Sequence, residues 1–297
     1  MSFGKDDGIG FIGLGVMGSG MAKCLLRAGG PLHVYARRDE AAQPVVAAGA
    51  RRAATPAALA RECKLVFLCL ADDAAVEDVL FGAQGLAAGL AMGSCVVDTS
   101  TIAATSARAF AQRLAEQGVR YLDAPISGGQ QGAETGTLAC MVGGPVETVE
   151  ACRAVMSAFC KTITHVGDVG AGQTVKACNQ VAVAGAMLGV ADAIALAKSQ
   201  GVDPKVMREV LLGGTARSFA LEKHGQRIID GDFQPGFRAR LMRKDLRIAL
   251  ETARAGGAEL QGAALAEKLV GELCDTGRAE MDWNTVGLLV QEKGPPL

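Results

Sequence analysis

Gly8-Ile9-Gly10-Phe11-Ile12-Gly13-Leu14-Gly15-Val16-Met17-Gly18 is the stretch that decides how the first half of this chain is built. Ile9–Ile12 is a short apolar strand, Gly13, Gly15 and Gly18 follow at GxGxxG spacing, and Val16–Ala28 continues as a helical segment. The three glycines have separate uses. The first permits a tight turn, the second lets backbone approach a phosphate, and the third lets the helix pack against the strand. The helix start presents N–H groups and its positive dipole end to a pyrophosphate. The spacing alone is common, and a packing-only glycine cluster is the competing reading. A strand before it and a helix after it make Gly13, Leu14, Gly15, Val16, Met17 and Gly18 a candidate dinucleotide loop.

Further strands are expected at Leu32–Ala36, Leu65–Leu70, Cys95–Asp98, Arg120–Asp123, Leu138–Val142 and Ile163–Val166. Helices are expected at Ala74–Phe81, Ala104–Glu116 and Glu147–Phe159. Continuous apolar strands separated by helical segments predict an α/β, doubly wound parallel sheet covered on both faces. From Gln173 onward the signals are helical only: a long segment to Gln200, then Pro204–Leu212, Met242–Ala255, Gly262–Asp275 and Asp282–Lys293. Asp203 suits an N-cap with Pro204 first in its helix, and Gly201, Gly256 and Gly277 suit stops. The expected domains are residues 1–167, with the sheet, and residues 168–297, all helical.

Composition narrows the function. A chain of 297 residues, 49% apolar, has room for two cores, and a net charge of −1 gives no field for nucleic acid or an anionic membrane. None of the nine cysteines forms a CxxC pair, and most lie in apolar runs, so reduced, buried thiols of a cytoplasmic protein are expected. The three histidines show no ligand spacing, so no metal is expected. Met1 to Gly8 is short and polar, unlike a signal peptide. The apolar run Val181–Ala197 is broken by Asp192 and falls short of the roughly 18–20 residues of a membrane span. A helix buried on most sides is expected there instead.

The second strand ends Leu32-His33-Val34-Tyr35-Ala36-Arg37-Arg38, where an NAD site usually carries a carboxylate for the ribose 2′-hydroxyl. Arg37 and Arg38 suit a 2′-phosphate instead, which favours NADP. Asp39, just beyond, keeps NAD open, and two solvated arginines on a loop is the plain alternative.

Four separated motifs resemble the β-hydroxyacid dehydrogenase family, which includes 3-hydroxyisobutyrate dehydrogenases and tartronate semialdehyde (2-hydroxy-3-oxopropionate) reductases. They are the cofactor loop from Gly13 to Ala22; Asp123-Ala124-Pro125-Ile126-Ser127-Gly128-Gly129, continuing through Gly136-Thr137-Leu138 and Val142-Gly143-Gly144; the run from Gly170 to Gln180; and Lys244-Asp245-Leu246. The resemblance spans nearly the whole chain and implies a Rossmann-type domain followed by an all-α domain. It implies that Lys176 is the catalytic acid/base and that Asn179, three residues on along one helix face, orients substrate and lysine. A partly desolvated ammonium loses proton affinity, as general acid–base transfer needs. A lone helical lysine is otherwise a solvated surface residue. Ser127, Gly128 and Gly129 read as an open loop, and the resemblance places the substrate carboxylate there. It also places Leu70, Ala71 and Thr101 beside the cofactor, although an N-cap role competes for the Ser100-Thr101 hydroxyls. Lys244 would reach toward the cofactor, and Phe237 would help close the substrate pocket. The basic stretch Arg238, Arg240, Arg243, Lys244, Arg247 is otherwise a solvated helix face.

The implied reaction is NADP-dependent interconversion of a small carboxylate-bearing aldehyde and its 3-hydroxy acid. Gln180 after Asn179 looks like the 2-hydroxy-3-oxopropionate reductase variety, which forms glycerate. The alternatives are 3-hydroxyisobutyrate dehydrogenase or another semialdehyde reductase and, in another class, a non-catalytic NADP-binding sensor or scaffold. Lys176 and Asn179 argue against the last. The Ala- and Val-rich face after Val181 predicts a homodimer or homotetramer.

Overall fold

The computed structural model describes residues 3–4 and 7–292. The polar start at Met1 and the expected helix end at Lys293 lie outside the described residues. Among the described residues nine strands form one sheet: β1 (Ile9–Ile12), β2 (Leu32–Tyr35), β3 (Arg51–Arg52), β4 (Leu65–Leu68), β5 (Cys95–Asp98), β6 (Arg120–Asp123), β7 (Ile126–Ser127), β8 (Leu138–Gly143) and β9 (Cys160–Gly167). Interleaved with them are α1 (Val16–Ala28), α2 (Asp39–Val46), α3 (Pro56–Glu62), α4 (Asp73–Phe81), α5 (Ala104–Ala115), α6 (Gly129–Thr135) and α7 (Val146–Met156). The helical part follows: α8 (Ala171–Ser199), α9 (Pro204–Leu212), α10 (Gln226–Asp230), α11 (Ala239–Ala255), α12 (Gln261–Leu273) and α13 (Val286–Glu292). The chain divides into two compact units between Lys176 and Ala177.

In the first unit the strand order is β3-β2-β1-β4-β5-β6-β8-β7, with β9 on β8. β1 to β6 run parallel, while β8 is antiparallel to β6 and β7. The chain works outward from β1 to β3 and then returns to build the other half from β4. That reversal leaves a crevice at the carboxyl ends of β1 and β4, where such sheets bind ligands. Ile12 pairs with both Tyr35 and Leu68, so the ends of three strands are level and the glycine loop emerges between them.

The unbroken apolar runs have a direct cause. Phe11, Phe67, Val97 and Leu122 pack on one face, and their neighbours Ile12, Leu68, Val96 and Tyr121 pack on the other. Successive strand residues point to opposite faces, so helices on both sides require apolar residues at every position. Phe67 stands edge-on to Phe159 at 5.3 Å and stacks with Phe11 at 6.2 Å, each large side chain contributing about 1.5–3 kcal/mol by burial.

Several elements depart from expectation. The two-residue strands β3 and β7 and the helices α2, α3 and α6 lie outside the sequence pattern. α3 carries a legible start signal, with Pro56 in its first turn and Thr55 accepting from Ala58 N at 3.0 Å. Ser127-Gly128-Gly129 is not an open loop. Ser127 ends β7 against β8, Gly128 (φ 134°) is a one-residue hinge, and Gly129 (φ 65°) begins α6. Two left-handed glycines turn the chain straight from strand to helix.

In the second unit Trp283, Met187, Leu246 and Leu273 anchor a separate helical core. A one-turn π-helix at Ala220–Gly225, absent from the sequence expectation, leads into α10. α8 corrects the expectation of a helix buried on most sides. Ala184, Met187, Ala191 and Ile194 face inward at helical spacing, but Ala182, Gly185, Gly189, Asp192 and Leu196 are not fully buried, and Leu196 is 65% exposed. The run Val181–Ala197 is still interrupted by Asp192, although α8 as a whole, with an 18-residue window of mean hydropathy 1.7, is long and apolar enough to cross a membrane, a test that core helices also pass.

Candidate active site

The three loop glycines have different reasons to be glycine. A Cβ on Gly13 (φ 99°) would lie 2.1 Å from Cys69 O, and one on Gly18 would lie 1.8 Å from Gly13 O. The fold itself demands both. Gly15 has an ordinary φ of −72°, and a Cβ there would meet nothing within 4 Å. No packing contact requires its lack of a side chain: its place as the N-cap of α1 favours glycine over alanine, and the open space beside it admits a group approaching from solvent. α1 starts at this point with no side-chain cap and no acidic residue in its first turn, which leaves its positive end open to an anion. The loop therefore fits a dinucleotide pyrophosphate. Leu14 is buried beneath it, Met17 is half-buried, and Val16 is exposed.

At the end of β2, Arg37 and Arg38 project to solvent. Asp39 is engaged by Arg52 of β3, which lowers its carboxyl pKa. The carboxylate that the sequence leaves open for a ribose hydroxyl is thus held in an ion pair.

A buried polar cluster lies at the ends of β5 and β6. Asp98 accepts from Tyr121 Oη at 2.9 Å and from Ser100 N at 2.9 Å, and burial raises its pKa. Ser100 Oγ accepts from Leu70 N at 2.9 Å, tying the two strand-end loops together. The competing N-cap role is thereby corrected: α5 starts after Ala103 with no side-chain cap, because Ser100 is committed across the sheet. Thr101 is half-buried beside it, and Ala71 is exposed. Asp123 accepts from Gly170 N at 2.7 Å and Gln173 N at 2.8 Å, anchoring the start of α8. Burial lifts its pKa from 3.8 to about 6, against those two N–H bonds, which lower it. Gln173 then reaches the Ser100 loop, donating to Ser100 O at 2.8 Å and accepting from Ile102 N at 3.1 Å.

One turn further along α8, Lys176 is 7% exposed and donates from Nζ to Ile126 O at 2.8 Å. The solvated-lysine reading is corrected by that burial. The ammonium is held beside the Ser127–Gly129 segment, whose Ser127 is half-buried and whose glycines are exposed. α6, which follows, is seated on α1 at Gly20, where a Cβ would lie 2.9 Å from Ala133 C.

In the second unit a chain of polar side chains starts at Asn179. Asn179 Nδ2 donates to Gln180 Oε1 at 2.8 Å, and Gln180 Nε2 donates to Asp245 Oδ2 at 2.7 Å. Asp245 Oδ1 pairs with Lys244 Nζ at 3.1 Å. The rest of the basic stretch is not simply solvated. Arg238 and Arg240 pair with Glu280, Arg243 with Glu267 and Asp275, and Arg247 with Glu267. Phe237 is half-buried against the helical core, and its N–H donates to Asp282 at 2.8 Å.

The sequence reading missed the roles of Asp98, Asp123, Gln173 and Asp245. Their signal was a carboxylate or amide where the pattern calls for an apolar residue. Among the described residues no group of three His, Cys, Asp or Glu is placed to hold a metal ion. No disulfide joins the nine cysteines, and three depart from the expected burial: Cys178 is exposed, and Cys69 and Cys274 are half-buried.

Known proteins share this architecture. Residues 8–167 match the family model described as the NAD binding domain of 6-phosphogluconate dehydrogenase. Residues 170–288 match that described as NAD-binding of NADP-dependent 3-hydroxyisobutyrate dehydrogenase. The 2-hydroxy-3-oxopropionate reductase of Escherichia coli K12 is 39% identical over 274 residues, covering 92% of this chain and 94% of the relative. The crystal structure of 3-hydroxyisobutyrate dehydrogenase from Salmonella typhimurium superposes with TM-score 0.88 at 30% identity, covering 96% of this chain and 100% of that one. The structure of Psf3 in complex with NADP+ and 2-OPP gives TM-score 0.88 at 31% identity, covering 95% and 99%.

Proposed function

Because the chain belongs to the β-hydroxyacid dehydrogenase family, we propose that this oxidoreductase uses NADP to reduce 2-hydroxy-3-oxopropionate to glycerate. The observation that carries the proposal is the buried Lys176 ammonium, held on Ile126 O beside Ser127. Ser127, with the backbone N–H groups of Gly128 and Gly129, binds the substrate carboxylate. Gly13 to Gly18, with Leu70, Ala71 and Thr101, seats the cofactor, and Lys244 adds a positive charge for it. Arg37 and Arg38 grip the 2′-phosphate, a choice supported by the engagement of Asp39 with Arg52. Bound there, the reduced nicotinamide supplies the hydride.

Lys176 holds a proton at Nζ and passes it to the carbonyl oxygen as that oxygen gains negative charge. In the reverse direction it takes the proton from the alcohol. Ile126 O fixes the ammonium so that little reorientation is needed at the moment of transfer. Asn179, three residues on along α8, orients the reacting oxygen, and Phe237 limits the pocket. The preference for 2-hydroxy-3-oxopropionate over the 3-hydroxyisobutyrate pair rests on Gln180 and on the 39% identity to the Escherichia coli reductase. The functional domains are residues 1–167 for cofactor and 168–297 for substrate and assembly. The exposed face of α8 joins subunits into a homodimer or homotetramer acting in the cytoplasm.

The test is a panel of tartronate, methylmalonate and succinate semialdehydes with NADPH and NADH, followed at the nicotinamide absorbance. The highest kcat/KM is expected for tartronate semialdehyde with NADPH. A higher value for methylmalonate semialdehyde overturns the substrate, and equal values with NADH overturn the cofactor.

A further inference from the structure

The side-chain chain in the second unit carries a polarity that its chemistry does not allow to reverse. Asp245 is 3% exposed and uses both carboxylate oxygens, Oδ1 on Lys244 Nζ and Oδ2 on Gln180. An ionised carboxylate only accepts hydrogen bonds, so Gln180, itself 5% exposed, must turn its NH2 toward Asp245. Its Oε1 then faces Asn179, and Asn179 must in turn offer Nδ2, as the 2.8 Å contact has it. Reversing Gln180 would set oxygen against carboxylate oxygen at 2.7 Å and amide hydrogens against amide hydrogens at 2.8 Å. Gln180 is buried and cannot flip without that cost, and half-buried Asn179 is held in register by it.

The geometry points to Asp245 as a positioning residue that fixes, through Gln180, which end of the Asn179 amide faces the reacting group. With Nδ2 committed to Gln180, Asn179 Oδ1 is the acceptor on the opposite side of the amide. That end accepts from the alcohol O–H of the 3-hydroxy acid. Hydroxyl orientation is thus set by a carboxylate two side chains away from the chemistry. This inference rests on the reductase reading of Lys176 and Asn179 given above.

The test separates polarity from bulk and charge. In Asp245→Asn the shape is kept but both amides can adopt either orientation. In Gln180→Glu/Asp245→Asn the net charge is also kept. The amide introduced at position 245 then donates to the carboxylate introduced at position 180, which still presents an acceptor to Asn179. With the semialdehyde that wild type reduces best, Asp245→Asn is expected to lower kcat at least tenfold, with NADPH affinity within threefold of wild type. The double variant is expected to recover kcat to within about threefold of wild type. Full activity in Asp245→Asn overturns the inference, as does a double variant that is inactive or unfolded. If Asp245→Asn alone does not fold, the double variant still decides, because it carries the same asparagine. A wild-type protein that reduces none of the semialdehydes contradicts the reductase reading instead, whatever the variants do.

Discussion

Gly15→Ala separates what the loop needs to fold from what it needs to bind. At φ −72° an alanine is unstrained, and its Cβ would meet no protein atom within 4 Å. Replacing a glycine where the backbone suits alanine stabilises by about 0.4–1 kcal/mol, while alanine is a poorer N-cap by a similar amount. The folded apoprotein should therefore change by less than about 1 kcal/mol. A phosphate resting on the loop meets the new methyl and must recede. Losing one charge-assisted hydrogen bond costs about 1.5–3 kcal/mol, or roughly 10- to 150-fold in NADPH affinity. Gly18→Ala is the contrast. Its Cβ would sit 1.8 Å from Gly13 O, where ordinary contact starts at 3.4 Å, so backbone must move and stability should drop by about 1–3 kcal/mol or more. Thermal melts and NADPH fluorescence titrations of both variants measure the two effects. Wild-type NADPH affinity in Gly15→Ala would refute the reasoning, and so would a loss of melting temperature as large as that of Gly18→Ala.

Three further outcomes follow from the geometry. Arg37→Ala/Arg38→Ala should weaken NADPH binding by roughly 10- to 100-fold and leave NADH binding unchanged, since only the 2′-phosphate is lost; equal losses for both cofactors would contradict the assignment. Gln173→Met should leave Ser100 O and Ile102 N without their partners and destabilise the protein by about 2–5 kcal/mol, read from denaturant midpoints. Asp123 has a folded pKa of about 6, raised above 3.8, so the folded state holds more protons than the unfolded state between these values. Its contribution therefore falls as pH rises through that window, by roughly 3 kcal/mol in all, and is flat above it. The stability difference between wild type and Asp123→Asn should shift toward the variant from pH 4 to pH 6.5, and a pH-independent difference would count against the buried carboxylate.

The parallel sheet was legible because Phe11-Ile12, Phe67-Leu68 and Val96-Val97 are apolar at adjacent positions in short runs separated by helical segments, as a sheet covered on both faces requires. The glycine loop was legible for the same local reason, and β1, β5, β6 and α1 have the expected ends. The short elements were not. β3 and β7 are two residues each, too short for any periodicity, and α6 is entered through Gly128 and Gly129, which locally read as a turn. Lys176 could be marked as a candidate from its apolar flanks and the family resemblance, but its acceptor Ile126 O is fifty residues distant. The same holds for Gln173 with Ser100 and for Gln180 with Asp245. Partnerships of buried polar groups are tertiary facts, so the sequence marks the members without pairing them.

The central claim is that Lys176 supplies and receives the proton in an NADPH-dependent reduction, and Lys176→Met tests it most directly. The measurement is single-turnover oxidation of bound NADPH by tartronate semialdehyde, in wild type and variant, with NADPH affinity determined in parallel. The account predicts that the variant binds NADPH within about twofold of wild type while the oxidation rate falls by roughly 10²- to 10⁴-fold. A variant that binds the cofactor and oxidises it at a rate near that of wild type would contradict the account.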